Sequence, residues 1–254
     1  MKDYFKYRFG TDIEFNLDSK DFVSIIGNTN DLFIYTLLNG HSKCNIFVGD
    51  KELNSENLPT IKKRLSIVLY KHLNIFVGET VMDEIAFGLE GLAYTKDDIR
   101  QLVASEARRF KIDHLLERDC NSLGSSDKTK MKILSALIIK PQILILDNVI
   151  CELDYKDKEL IFDILKEYKK NGGIIINVTN DIEETLHSEK IIVIHDKKLV
   201  CFGKTLSVLN EEKLLRKIGV GLPFIIELNR YFMDYGMIDK YYLDSEKLVG
   251  ALWK

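Results

Sequence analysis

The residues best placed for chemistry follow the apolar runs. ILILD (143–147) is four apolar residues closed by Asp147; Asn148 comes next, and Asp154 stands seven residues after Asp147. A carboxylate that closes a buried strand lies where open α/β sheets bind ligands, beyond the carboxyl ends of their strands. DFVSIIG (21–27) is a second such run and ends on Gly27. A phosphate-binding loop would continue such a strand with glycines and Gly-Lys-Ser/Thr at a helix start. Its backbone N–H groups would cradle phosphate and its lysine would meet the charge. Here the chain reads Asn28-Thr29-Asn30-Asp31-Leu32-Phe33, with no lysine and no glycine before Gly40. LSIVLY (65–70) is followed by Lys71-His72, and GIIINVT (173–179) by Asn180-Asp181. These strand-end segments are expected to converge on one crevice.

The elements that must position them can be read from periodicity. Short strands are expected at 4–9, 13–17 and 45–49. Longer ones are expected at 22–27, 65–70, 142–147, 173–179, 190–196 and 198–203. The longer runs are apolar throughout, which suits parallel strands buried on both faces. Helical spacing marks 83–89, 96–110, 112–116, 128–139 and 182–187. A helix over 155–171 starts after Asp154, a good N-cap, and stops at Gly172-Gly173. Strand and helix alternate, so a doubly wound α/β sheet is expected. After Gly203 the pattern turns helical, over 211–218, 222–235 and 245–253.

Composition bounds the class. The 254 residues suffice for one large α/β domain with a modest appendage. A net charge of -3 with no basic stripe gives no push toward nucleic acid. No apolar run approaches the roughly 20 residues that span a bilayer, and the start MKDYFKYRFG lacks a signal peptide's apolar stretch. A cytoplasmic location is the expectation. Cys44, Cys120, Cys151 and Cys201 are far apart, which argues for reduced, structural thiols.

ILILDNVICELD (143–154) resembles the Walker B strand and D-loop of ATP-binding cassette (ABC) ATPases. The resemblance then spreads over nearly the whole chain. RLSIVLYKHLNIFVGETVMDEIAFGLE (64–90) is similar to the stretch from the Q-loop strand to the helical subdomain. Its part FVGETVMDEIAFGLE (76–90) resembles the cassette ATPases of energy-coupling factor (ECF) importers. LLRKIGVGLPFIIELNRYF (214–232) and EKLVGALW (246–253) resemble the C-terminal extension of the same family. The fold this implies is α/β and P-loop NTPase-like (RecA-like): a mostly parallel sheet, a small antiparallel β part, an inserted helical subdomain and a C-terminal helical extension. An ATPase-like domain would occupy 1–204, with its helical subdomain at about 90–140. The extension would occupy 205–254 and is expected to dimerise.

The resemblance also assigns positions. Gly27, Asn28, Thr29 and Asn30 fall in the nucleotide-binding loop, which is two residues short when counted back from Leu38-Asn39-Gly40. On that count Asp31 falls near the lysine position; in an ungapped alignment Phe33 does. Tyr70 stands at the Q-loop glutamine and Asp147 at the magnesium-linked aspartate. Asn148 replaces the glutamate that polarises the attacking water, and an amide cannot accept that proton. Asn180 stands at the switch histidine. Leu123-Gly124-Ser125-Ser126-Asp127 aligns with the signature LSGGQ, and Asp154 with the D-loop aspartate. Ser125 and Ser126 read either as contacts to a γ-phosphate or as loop and cap residues. Tyr7 or Phe9 could stack on adenine.

Cassette ATPases of this family work as dimers, with each ATP between one subunit's Walker motifs and the other's signature. The resemblance therefore implies a degenerate ATPase subunit paired with an active one, a pseudo-ATPase within a heterodimer. It would grip a transmembrane coupling protein and its substrate-binding membrane protein from the cytoplasmic face. The transported solute would be a micronutrient, a vitamin or metal ion. ATP and magnesium would bind weakly or be shared with the partner. Two alternatives are a weakly active ATPase and a stand-alone structural or regulatory module that dimerises.

Overall fold

Hydrophobic patterning sorts the strands into two sheets. The computed structural model describes residues 4–90, 92 and 94–253. The opening Met1 to Asp3, and residues 91 and 93 at the edge of the expected helical subdomain, lie outside that description. In chain order come strands β1 (Phe5–Phe9), β2 (Ile13–Leu17) and β3 (Phe22–Ile26), helix α1 (Asp31–Asn39), strands β4 (Cys44–Val48) and β5 (Lys51–Glu52), helix α2 (Leu58–Ile61) and strand β6 (Leu65–Leu69). Helices α3 (Val81–Phe87), α4 (Lys96–Arg109) and α5 (Ser125–Ile138) precede β7 (Ile143–Asp147), α6 (Tyr155–Lys170), β8 (Ile174–Val178), β9 (Lys190–His195) and β10 (Lys198–Lys204). The tail is α7 (Thr205–Leu209), α8 (Glu212–Lys217), α9 (Phe224–Asp234) and α10 (Ser245–Leu252).

The small sheet runs β2-β1-β4-β5, all antiparallel. β1 and β2 alternate buried and exposed residues, as one-sided strands do. The large sheet runs β10-β9-β3-β8-β7-β6. Its pairs from β9 to β6 are parallel. β3 and β8 are buried along their whole length, and β7 up to Asp147. Ile143 and Ile145 of β7 face the small sheet and α1, whereas Leu144 and Leu146 face the helical side with α5 and α6. Each such side chain contributes about 1.5–3 kcal/mol on burial, so a central strand gains from being apolar on both faces.

Two of the longer runs depart from the doubly buried parallel expectation. β6 is an edge strand with alternating burial. β10 is antiparallel to β9. Only Asp196 and Lys197 separate β9 from β10, both at positive φ (48° and 59°). A link that short permits a hairpin, whereas a parallel pair needs a crossover of a dozen or more residues. The segments expected as helices at 112–116 and 182–187 form 3-10 turns, Asp113–Leu115 and Ile182–His187.

Caps fix the helices that frame the site. Thr80 and Asp83 form a capping box on α3, as Thr95 and Asp98 do on α4. Asp154 caps α6, its carboxylate accepting the Asp157 N–H. On the other face of α6, His187 stacks on Phe162 with 3.6 Å between ring centroids. Burial first, and the Lys166 charge next, lower the His187 pKa from 6.5 to about 4. Between those values the unfolded chain binds a proton here that the folded chain does not, so stability falls as pH falls through that window. Urea midpoints should show a loss of about 1 kcal/mol from this group between pH 7 and pH 5, discounted for its partial exposure. His187→Phe should remove that part of the pH dependence while keeping the stack.

Candidate nucleotide-site region

The segments after β3, β7 and β8 converge and are joined by hydrogen bonds, while Lys71 after β6 acts on Asp147 through its charge. Asn28 and Asp196 are joined twice: Asn28 Nδ2 donates to Asp196 Oδ1 at 2.9 Å, and the Asp196 N–H donates to Asn28 Oδ1 at 2.9 Å. The Lys197 N–H donates to Thr29 Oγ1 at 3.0 Å. Asn30 Nδ2 donates to Thr179 O and to Asn180 Oδ1, both at 3.1 Å. The Asn180 N–H in turn donates to Asn148 Oδ1 at 3.3 Å. Residues 28–30 are thereby fastened to the β9–β10 turn on one side and to the end of β8 on the other.

Gly27 makes this approach possible. Its φ is +122°, and a Cβ there would stand 2.0 Å from the Ile194 carbonyl oxygen. The chain then turns directly into α1, the Leu32 N–H donating to Thr29 O and the Phe33 N–H to Asn30 O. Asp31 is the first residue of α1, where a helix N-terminus favours negative charge. Asp31 is exposed and acts on Asp147 through its charge. Burial raises the Asp147 carboxyl above its ordinary value, Lys71 opposes that shift and Asp31 adds to it. Phe33, the other candidate for the lysine position, is fully buried, 5.1 Å from the Tyr7 ring. Tyr70 begins a 3-10 turn directly after β6 and is exposed.

Tyr7 does not face a ligand. It is fully buried, stacks on Phe15 at 5.2 Å and shares a 2.8 Å hydrogen bond with Thr36 Oγ1. An inward position on a one-sided strand made it core. Phe9 is partly exposed and lies 5.2 Å from the His41 ring. A cavity of about 280 Å³ opens beside Gly27, Asn28 and Asn180, walled by the tail's Gly219 to Gly221 turn. Another, of about 580 Å³, lies between α4, α5 and α6 near Tyr168 and Gly173, and none of the sequence-predicted site residues lines it.

The signature-like segment stands apart from that network. Leu123 is buried, and Gly124 is the N-cap of α5 without a side-chain cap bond. Ser125 and Ser126 are therefore the first two helical residues rather than loop or cap residues. Ser125 Oγ has only a 3.5 Å contact to Glu152 O. Ser126 Oγ donates to Asp157 Oδ2 at 2.6 Å. Lys130 Nζ lies 2.8 Å from Asp157 and 2.9 Å from Asp127, in a nearly buried position. Burial would raise the Asp157 carboxyl, but its bonds to Lys130 and Ser126 more than offset that and hold it low. The start of α5 is thus latched to the start of α6, which Asp154 caps. Sequence reasoning missed Asp157, Lys130, Asp196 and Lys197. The i, i+3 spacing of Asp127 and Lys130 was a usable signal for one of them.

Among the described residues, no cluster of three or more His, Cys, Asp or Glu side chains could hold a metal ion. No helix among them is long and apolar enough to cross a membrane.

No family model matches the chain. The EcfA1 energy-coupling factor transporter ATP-binding protein of Mycoplasma pneumoniae is 30% identical over 248 residues, covering 95% of this chain and 90% of that protein. The chain belongs to the energy-coupling factor transporter ATP-binding proteins. The EcfA1 protein of Lactobacillus delbrueckii subsp. bulgaricus is 27% identical over 254 residues, 96% of this chain and 90% of its own length. Among solved structures, cbiO1 of Clostridium perfringens, part of the ABC transporter complex cbiONQ, superposes with a TM-score of 0.71 at 21% identity. It covers 86% of this chain and 95% of its own. The dimeric bacterial ABC transporter cassette MJ0796 gives 0.70 at 20% identity, with 79% and 98% covered. These two likenesses establish the fold, an ABC ATPase cassette of P-loop NTPase type. In this EcfA-type chain β3 and Gly27 are followed by Asn28, Thr29, Asn30 and Asp31 before α1 proceeds.

Proposed function

We propose that this chain is a non-hydrolysing subunit of an ECF-type importer. It pairs with a second, catalytically complete ATPase and docks on a transmembrane coupling protein at the cytoplasmic face of the membrane. The solute is a micronutrient, a vitamin or metal ion, which this chain does not touch. The observation that carries the reading is the state of the phosphate-loop position. Residues 27–31 hold no cation, Asp31 opens α1, and Asp147 already feels Asp31. The side chains of Asn28, Thr29 and Asn30 bond to neighbouring loops instead of standing free for a ligand. These residues do not fit a triphosphate. Asn148 and Asn180 further lack the acid–base capacity of the residues whose places they hold.

In this reading residues 1–204 are the cassette and 205–254 the appendage that meets a second subunit. That appendage leaves Phe224, Tyr231, Tyr235 and Trp253 exposed. The segment from Tyr70 to Glu90 is the docking surface. Ser125, whose hydroxyl is less committed than that of Ser126, is the one to serve a site shared with the partner.

Titrating magnesium-ATP into the purified chain tests the central claim. The expected result is no saturable heat at nucleotide concentrations up to about 1 mM, a binding free energy weaker than about -4 kcal/mol. Saturation at one nucleotide per chain in the micromolar range would overturn it. That outcome would favour a second reading, ATP binding with slow hydrolysis at this site, for which the Lys71 charge beside Asp147 is the one supporting observation.

A further inference from the structure

The turn that follows Asn180 encloses a small group of polar atoms with one donor too few. Glu184, in the 3-10 segment Ile182–His187, is 3% exposed, and Asn177 of β8 is fully buried. Asn177 Nδ2 donates to Glu184 Oε2 at 2.9 Å. The other atoms of the two groups, Asn177 Oδ1 and Glu184 Oε1, are buried and have no hydrogen-bond partner among the described residues. Ser24, level with Asn177 on β3, is fully buried too, and its hydroxyl bonds to neither. An amide oxygen and a carboxylate oxygen both accept, and neither donates. Turning the amide over would only move the mismatch to Oε2. Buried acceptors left without a donor are costly, and native interiors keep few of them. One proton on Oε1 makes that atom a donor and removes both deficits.

Charges reach the pair from three elements. From α6, Lys158 Nζ lies 3.5 Å from Asp181 Oδ2 and 3.8 Å from Glu184 Oε1. Asp181 precedes the segment, and its carboxylate accepts the Glu183 N–H at 3.0 Å. The Cys151 thiol, in the turn Ile150–Glu152, is pushed up by burial first and then by the charges of Glu152 and Glu184. For Glu184 itself burial is the largest influence and raises the carboxyl. The Asn177 and Thr179 side chains and Lys158 oppose that shift, Asp181 adds to it, and the balance stays above the ordinary value. Lys158 is nearer to Asp181 and meets Glu184 only beyond hydrogen-bond distance.

We propose that folded Glu184 keeps a proton that an unfolded glutamate would release, directed at Asn177 Oδ1, and that this proton locks the joint between the end of β8 and α9. The joint extends to both sides of Glu184. Asn180, four residues earlier, is bound to Asn30. Glu183 Oε1 accepts the N–H of Phe224, the first residue of α9, at 2.6 Å. The step is an acid–base equilibrium with solvent, in which the proton arrives on Oε1 and leaves from it. When it leaves, a buried carboxylate needs a counter-charge, and Lys158 is at hand. Drawing Lys158 inward takes it off Asp181, whose bond to Glu183 caps the turn, and the contact with α9 loosens. Stability from this group is complete below the ordinary glutamate value of 4.5 and is lost as pH rises through the raised folded value. The sign is opposite to that of His187, three residues further on.

A pH titration of the side-chain carboxyl carbons by NMR, on the purified full chain, tests the proton. Hydrogen-exchange protection of the Glu184 and Phe224 N–H groups over the same range tests the joint. The expected result is a Glu184 carboxyl that titrates above the exposed glutamates, with protection at both amides falling by about threefold or more across that transition. Glu184→Gln puts a permanent N–H where the proton sits. Its protection should stay within about twofold of the wild-type value on the acid side throughout. Lys158→Met removes the cation that favours the ionised form, so it should move the Glu184 transition further up. A Glu184 carboxyl that titrates with the exposed glutamates would overturn the inference and leave the two oxygens to an internal water. So would a fall in protection that persists in Glu184→Gln, or a transition that Lys158→Met leaves in place or lowers.

Discussion

In the proposed pairing, replacing the second ATPase's hydrolytic glutamate should lower ATP turnover of the complex by about 10²-fold or more, while Asp147→Asn in this chain changes it by less than about twofold. The asymmetry follows from what stands around Asp147. The next residue is an amide, Asn148, and its oxygen accepts the Asn180 N–H, so it has no proton-accepting role to lose. Asn180 is itself held by Asn30. Asp147 is a carboxylate followed by an amide, and removing its charge relieves repulsion with Asp31. Phosphate release by the purified complex checks both arms. A fall of tenfold or more with Asp147→Asn would show that this chain's own site turns over ATP.

Gly27→Ala should cost about 3–5 kcal/mol of stability, near the upper end for a single substitution. Two effects add. A φ of +122° is strained for any residue with a Cβ, and the methyl would stand 2.0 Å from the Ile194 carbonyl oxygen. The obstructing atom is backbone in a doubly buried strand, so relief requires β3 and β9 to part. For a chain of this size the loss corresponds to a fall in melting temperature of about 6–20 °C. Gly124→Ala is the control. A Cβ there meets nothing within 4 Å and the backbone is extended, so thermal denaturation should move little. Equal melting temperatures for wild type and Gly27→Ala would refute the close approach.

The sheet was legible because burial dictates composition. ILILD and IIINV are largely apolar on both faces because they lie between helices and a second sheet. β10 was misread because its run is apolar too, although the two-residue turn before it already demanded a hairpin. β5 is two polar residues, Lys51 and Glu52, paired with β4, and carries no periodic signal at all. At the site, the positions Asp147, Asn148 and Asn180 could be found because each follows a strand. Their bonds could not. Asn28 and Asp196 lie 168 residues apart, and Ser126 and Asp157 lie 31 apart, so only the fold brings them together. Tyr7 shows the reverse case. An aromatic near the expected base site is also an inward-facing strand residue, and packing took it.

The closed network at the end of β3 bears on reversibility. A lysine introduced at Asp31 would begin a helix whose preceding three side chains are already engaged with Asp196, Lys197 and Asn180. On the proposed assignment of these positions, a phosphate cradle would require extra loop residues to detach from those anchors, together with a glutamate at Asn148 and a histidine at Asn180. No single one of these steps confers turnover, and the first of them releases bonds that hold the folded chain. On the reading proposed above, a return to hydrolysis would thus begin with a step that loosens the fold.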